Sequence, residues 1–282
     1  MSNSPRVRCF VTQDKALLRR FLRRSPVESA YLLGDLQEPF FSHCRWLVAT
    51  YDDEIRAVIL VYEGLSSPTL LSLGAPDLIR RLLSDLAEHV PVEAFGKIPH
   101  SHEAAFSDVC ELYDHDAMWC MGLSPDLWQG TVPPSTDEAT EFRVLTSNDS
   151  LDSIYRVYED YPGNFFEASQ LASGLYMGGF VEGELSCVVG THVYAPAEHV
   201  AVLGNIVTAR KHRGKGLARA CCGSLVEVLQ ERGCTTIALH VSDRNYGAIA
   251  CYRSLGFTFH ATLLDVPYRS FAGKEKGKIG WG

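Results

Sequence analysis

Between Asn205 and Ala218 the chain reads Asn-Ile-Val-Thr-Ala-Arg-Lys-His-Arg-Gly-Lys-Gly-Leu-Ala. An apolar strand ends near Thr208, a short polar connection follows, and a glycine turn opens directly into a helix. Gly214 and Gly216 remove the Cβ atoms that would hold an anion away from the backbone. From Gly214 through Lys215, Gly216 and Leu217 to Ala218, the peptide N–H groups have no partner in the chain. They form a concave set of donors at the positive end of a helix dipole, where a phosphate or diphosphate can sit. Arg213 and Lys215 add formal positive charge at the same place. A bare Gly-x-Gly could simply make a turn, so the reading needs a second signal.

That signal lies downstream, in Asn245-Tyr-Gly-Ala-Ile-Ala-Cys-Tyr-Arg-Ser-Leu-Gly-Phe257. It follows a strand over 235–241 and carries a polar start, a helix and a glycine stop. Together the two segments resemble the GNAT superfamily of acyl-CoA-dependent N-acyltransferases. The Arg/Gln-x-x-Gly-x-Gly/Ala signature of that family matches Arg213 to Ala218. Its Asn…Ala…Tyr…Leu-Gly-Phe stretch matches Asn245, Ala248, Tyr252 and 255–257. The spelling looks most like the glycine N-acyltransferase-type branch, which implies a small amine or amino acid as acceptor.

Acyl transfer from a thioester to an amine needs a held thioester, a neutral amine, an oxyanion donor and a proton for the leaving thiolate. The resemblance assigns acetyl-CoA, or another acyl-coenzyme A, as donor, held without any metal. The turn 213–218 would take its diphosphate. Ile206 and Thr208 lie on one side of the preceding strand, so their backbone groups can pair with the amide-bearing pantetheine arm as an added strand. By resemblance an N–H near Ile206 to Val207 receives the thioester oxygen, and Asn245, also a favoured N-cap, reaches the pantetheine arm. Tyr252 stands two helical turns beyond Asn245, on the same face, where the family places a hydroxyl beside the sulfur as general acid. Phenol-to-thiolate transfer is uphill by about 1.5 pKa units, roughly 2 kcal/mol, so Tyr252 need only donate a strong hydrogen bond. Many relatives carry a Glu base on the strand before the turn, but Val200 to Asn205 has no carboxylate. His240, His192, Glu159 and Asp160 are the candidates, with a water chain as an alternative.

The elements that must position these residues follow from pattern. The chain has 282 residues, 46% hydrophobic and 21% charged, enough for two cores. Hydrophobic and polar runs predict strand 6–11, helix 13–24 capped by Thr12, helix 27–36, a hairpin 46–62 and strand 69–73. Helix 78–89, strand 92–95, helix 101–112 and strand 117–121 complete the first half. Ser124 to Thr140, with Gly130, Pro133 and Pro134, reads as a linker. The order then restarts: strand 141–145, helices 149–159 and 165–173, hairpin 176–194, strand 200–208, helix 217–232, strand 235–241, helix 246–255 and strand 257–266.

The expected fold class is α/β (α+β), a tandem of GNAT-like folds with mixed sheets flanked by helices. The domains are 1–123, a linker 124–140, a catalytic domain 141–270 and a solvated tail 271–282. At the first half's counterpart of the glycine turn stands Gly74-Ala-Pro-Asp77. Pro76 has no N–H and Asp77 would repel a phosphate, so this half is expected not to bind coenzyme A.

Twenty-six Lys and Arg against 34 Asp and Glu leave a net charge of −8, which argues against a nucleic-acid-binding surface. Nine scattered cysteines without a C-x-x-C pair favour reduced thiols in the cytoplasm over a zinc site or disulfide framework. No apolar run is long enough to span a bilayer, so no membrane partner is expected. The expected partner is a small-molecule amine, with a homodimer compatible. Beside the enzyme stand a non-catalytic acyl-CoA sensor, kept open by the missing strand Glu, and a nucleotide-phosphate binder of another fold.

Overall fold

The computed structural model describes residues 7–113, 115–128, 130, 133–135 and 138–271. Arg6, five positions of the expected linker and the tail from residue 272 lie outside them. The first half runs β1 (Val7–Thr12), α1 (Lys15–Leu22), α2 (Ala30–Gly34), β2 (Cys44–Tyr51), β3 (Glu54–Tyr62) and β4 (Thr69–Gly74). Then come α3 (Pro76–Asp85), β5 (Glu93–Pro99), α4 (Glu103–Ser107), β6 (Cys110–Leu112) and β7 (Asp116–Leu123). The second half runs β8 (Thr140–Val144), α5 (Leu151–Tyr158), β9 (Met177–Val181), β10 (Glu184–Ala195) and β11 (Val200–Thr208). It closes with α6 (Leu217–Glu231), β12 (Thr236–Ser242), α7 (Tyr246–Ser254) and β13 (Thr258–Ser270).

These elements form two compact units. Of the described residues, one unit holds those up to Trp119 together with those from Ala261 onward, and the other holds those from Cys120 to His260. In the first unit β1, β2, β3 and β4 are antiparallel neighbours and β4 runs parallel to β5. The sixth place is taken by β13, from Leu263 opposite Pro99 to Arg269 opposite Glu93. The second unit repeats the order: β8, β9, β10 and β11 antiparallel, β11 parallel to β12, then β7 beside β12. Each unit thus draws its sixth strand from across the linker. The sequence reading placed 117–121 in the first half and 257–266 in the second. A period of two declares a half-buried strand but not its partner.

Local differences have local causes. The cap of α1 is Asp14, whose carboxylate accepts from Ala16 and Leu17 N–H, while the Thr12 hydroxyl accepts from the Asp14 N–H. The helix expected over 27–36 shrinks to α2, because the Ser29 hydroxyl donates to the Leu22 and Ser25 carbonyls. The helix expected over 101–112 stops at Ser107. Its last three residues pair instead with 268–270 of β13, a long-range contact that overrides local propensity. The segment 165–173 forms a 3₁₀ turn over Ala168–Ser173. Helix α6 is as expected, with Leu217, Cys221, Leu225 and Leu229 buried.

Candidate active site

Strand β11 is regular only over its first half. Val200–Leu203 pair in parallel register with Thr236–Leu239 of β12. Beyond Leu203 and Leu239 no further rung is formed. On the other side, pairing with β10 slips between Gly204 and Val207, and within that slip Asn205 has φ of +52°. This is a β-bulge on an Asn, one of the few residues that tolerate the left-handed region. The side chain of Asn205, only 3% exposed, is fully engaged. Its Oδ1 accepts from the Phe165 N–H at 2.9 Å and its Nδ2 donates to the Tyr176 hydroxyl at 2.9 Å. Its carbonyl accepts from the Tyr158 hydroxyl at 2.9 Å.

The bulge decides which way the next backbone groups point. The Ala209 N–H donates to the Ser186 carbonyl at 2.8 Å, and Val207 stands opposite Val188 in the same register. Residues 207 and 209 therefore turn their N–H and C=O toward β10, and Ile206 and Thr208 turn theirs the other way, where β12 has parted from the strand. Ile206 and Thr208 are half-buried. Val207 packs its side chain into the core of the second unit, and its register with Val188 turns its backbone groups toward β10.

The glycine turn follows. Gly214 and Gly216 have φ of +78° and +77°, and Gly216 is the N-cap of α6 without any side-chain cap. The first intrahelical bond is Ala220 N–H to the Gly216 carbonyl, which leaves the Leu217 and Ala218 N–H groups without helical acceptors. A Cβ on Gly214 would meet nothing within 4 Å, so the turn is open where an anion would enter. Arg213 is folded back: its Nε donates to the Thr208 carbonyl at 2.9 Å, and its Nη2 lies 3.9 Å from the Asp160 carboxylate. Asp160 also accepts from the Arg210 N–H at 2.6 Å. Asp160 thus braces the turn, and Arg213 ties the turn to the end of β11.

Part of the expected linker lies against this turn. The Ser135 N–H donates to the Lys215 carbonyl at 2.8 Å, and Lys215 Nζ donates to Glu138 at 2.7 Å. Nδ1 of the buried His212 is 3.9 Å from the same carboxylate. Sequence reading took 124–140 as a spacer and missed Glu138. Alternation of polar and proline residues carries no signal for one carboxylate docking on one lysine.

Helix α7 begins at Asn245, whose Oδ1 accepts from the Ala248 N–H at 3.1 Å. Its cap role is formed, and the residue stays exposed. Tyr252 is 6% exposed and lies edge-on to Phe257, with ring centroids 6.1 Å apart. Burial holds its hydroxyl well above the ordinary phenol range, and the nearby Cys222 and Cys251 push the same way. Phe257 and Leu255 are buried, and Gly256 takes φ of +95° against the Leu127 carbonyl. The Leu-Gly-Phe signature therefore seats the helix that carries Tyr252.

His240 is the first residue of β12 past its last rung with β11 and is half-buried. His192 sits at the second irregularity of β10, between Thr191 and Val193. Its ring lies over the Cα of Gly204, where any Cβ would collide with it. Phe165, 76% exposed, meets that ring edge-on at 6.4 Å. Glu159 caps the end of α5. Asn205 is the residue that sequence reading left as plain strand; Gly204-Asn205 inside an apolar run was the available hint.

The second unit thus sets an open glycine turn at an uncapped helix start beside a strand that parts from its neighbour. Residues 140–257 match the model described as Acetyltransferase (GNAT) family. A curated relative, the [ribosomal protein bS18]-alanine N-acetyltransferase of Escherichia coli K12, is 39% identical over 79 residues. That match covers 28% of this chain and 53% of the relative, so the chain spans about half the length of the protein it matches. Solved structures agree on the fold of the whole. A GCN5-related N-acetyltransferase from Sphaerobacter thermophilus aligns with TM-score 0.59 at 16% identity, covering 96% of both chains. A tandem GNAT protein from the clavulanic acid biosynthesis pathway aligns with TM-score 0.54 at 13% identity, covering 93% of this chain and 98% of that one. Both units thus have mixed sheets flanked by helices in the arrangement of that fold.

Proposed function

We propose that the second unit transfers an acetyl or other short acyl group from acyl-coenzyme A to a primary amine. The observation that carries this reading is the parting of β11 from β12 with the Ile206 backbone and the Thr208 N–H turned into the gap. The residues present fit the donor. The N–H groups from Gly214 to Ala218 and the ammonium of Lys215 hold its diphosphate. The gap takes its amide-bearing arm as a strand would be taken. The bound thioester supplies an activated acyl carbon, and the chain supplies the rest.

Ile206 N–H donates to the carbonyl oxygen as charge collects there. His240, where the two strands part, takes the proton that the amine must lose. The Tyr252 hydroxyl donates a hydrogen bond to the sulfur as the carbon–sulfur bond breaks. Because burial keeps the phenol protonated, Tyr252 is a donor at every working pH, and the thiolate takes its final proton from solvent.

The acceptor proposed is a small amine or free amino acid, as in the glycine N-acyltransferase-type branch. The match to a ribosomal-protein N-acetyltransferase favours a second acceptor, the α-amino group of a peptide. Free-thiol release from acetyl-CoA, measured against amino acids, polyamines and N-terminal peptides, separates them. The same assay tests a sensor role, favoured by the absence of a carboxylate in Val200–Asn205. Coenzyme A binding without thiol release across the panel would reject the enzyme.

A further inference from the structure

The buried network around Asn205 links two regions that the proposed reaction uses separately. From one side it sets the bulge of β11, and so the direction in which Ile206 and Thr208 face. From the other it grips the segment between α5 and β9. Phe165 N–H is bonded to Oδ1, and the Tyr176 hydroxyl, which accepts from Nδ2, itself donates to Gln170 at 2.7 Å. Gln170 in turn accepts from the Glu167 N–H at 3.0 Å, closing a capping box. Gly190 has no Cβ because the Tyr176 ring occupies that space. One side chain therefore holds the bulge, the 161–170 segment and Tyr176, the residue before β9.

The segment it holds carries Phe165, beside the residue of β11 that precedes the bulge. Phe165 projects from the backbone unit that Asn205 anchors, and its ring meets His192 directly over Gly204. Phe165 is thus an exposed ring set, through His192 and Gly204, one residue from the bulge that Ile206 follows. We propose that Asn205 is a positioning residue that makes the acceptor platform at Phe165 depend on the donor strand, so that filling the gap beside Ile206 orders residues 161–170. This rests on the reading of the gap as the donor site.

Hydrogen–deuterium exchange with and without acetyl-CoA tests it on the full chain. In the wild type, acetyl-CoA is expected to slow exchange at 204–218 and also at 161–170. Asn205→Gly keeps the left-handed backbone but deletes the side chain. It is expected to keep the donor protection at 204–218, to lose that at 161–170, and to exchange about tenfold faster at the Phe165 amide without donor. Asn205→Asp, which retains the acceptor for the Phe165 N–H, is expected to recover the Phe165 protection. If Asn205→Gly does not fold, the wild-type response of residues 161–170 to acetyl-CoA still decides the coupling. Donor protection confined to 204–218 in the wild type, or a Phe165 amide that exchanges no faster in Asn205→Gly than in the wild type, overturns the coupling. Failure of the wild type to take up acetyl-CoA instead rejects the donor site itself, and the Phe165 comparison without donor still decides whether Asn205 is the tether.

Discussion

Tyr252 is the side chain on which chemistry and packing make opposite demands. Its ring is core, but a phenol in that place is useful only if its hydroxyl meets a developing thiolate. Tyr252→Phe keeps the packing against Phe257 and removes one donor, so coenzyme A affinity should stay within about twofold while kcat falls by about 10²-fold. Calorimetry and free-thiol release measure the two sides, and equal rates would return Tyr252 to a purely structural role. Because its titration is pushed well above 10, no alkaline limb below pH 10 should belong to it. Any limb seen there should survive in the Phe variant. Gly216 is the contrasting case. It combines φ of +77° with the cap position of α6 and lies 3.5 Å from Pro134 and Ser135 at its would-be Cβ. Gly216→Glu places a carboxylate where an anion should sit, and coenzyme A binding should drop below detection by calorimetry. Unchanged affinity would remove the turn from the site.

The strand–turn–helix from β11 to α6 and the capped start of α7 were legible because each is written in local chemistry: glycines at positive φ, an Asn before a helix, a four-residue apolar period. What was not legible depends on residues far apart in sequence. The bulge at Asn205 is held by Tyr158, Phe165 and Tyr176, whose spacing along the chain announces nothing. The exchange of β7 and β13 between units is invisible because an alternating pattern does not name its neighbour. The docking of Glu138 on Lys215 belongs to the same class and has a measurable consequence. The carboxylate neutralises the one ammonium inside the glycine turn, so an incoming diphosphate must compete with it. The pair is about one-third exposed on each side, and exposed pairs contribute up to about 1 kcal/mol. Glu138→Gln should therefore tighten coenzyme A binding by about two- to fivefold at low salt, with the gain fading as salt screens the charge. Weaker binding in the variant would show that Glu138 supports the turn rather than competing for it.

The two units share a strand order and differ in what stands before the helix after the fourth strand. In the first unit Gly74 has φ of +117° and is pressed against the Arg56 carbonyl, and Pro76 occupies the first turn of α3 with Asp77 beside it. That entrance lacks an N–H and carries a negative charge, so coenzyme A should bind with a stoichiometry of one per chain. What the first unit holds instead is a pair of ionisable groups, one buried and one half-buried, with opposite pH responses. His102 is buried between the Ser72 hydroxyl on Nδ1, at 2.8 Å, and the Gly74 carbonyl on Nε2, at 2.9 Å, and burial lowers its pKa. The unfolded chain takes up that proton near pH 6.5 and the folded one only below, so this stability is lost as pH falls under about 6.5. Asp35, near Cys44 and Tyr62, is raised by burial to about 7. Here the folded state keeps a proton that the unfolded chain gives up near 4, so stability is present at low pH and lost as pH rises through 7. Between pH 4 and 6.5 the two responses oppose each other, and the wild type should show a flatter profile than either group alone. Asp35→Asn removes the rising-pH penalty and should stabilise the first unit at pH 8 by more than about 1 kcal/mol. It should also leave a clear loss below pH 6.5, which His102→Gln then abolishes. Exchange of core amides in β2 and β3, followed from pH 5 to 8, reads both effects. An Asp35→Asn variant no more stable than wild type at pH 8 would mean that this carboxyl ionises in the folded chain as readily as in water.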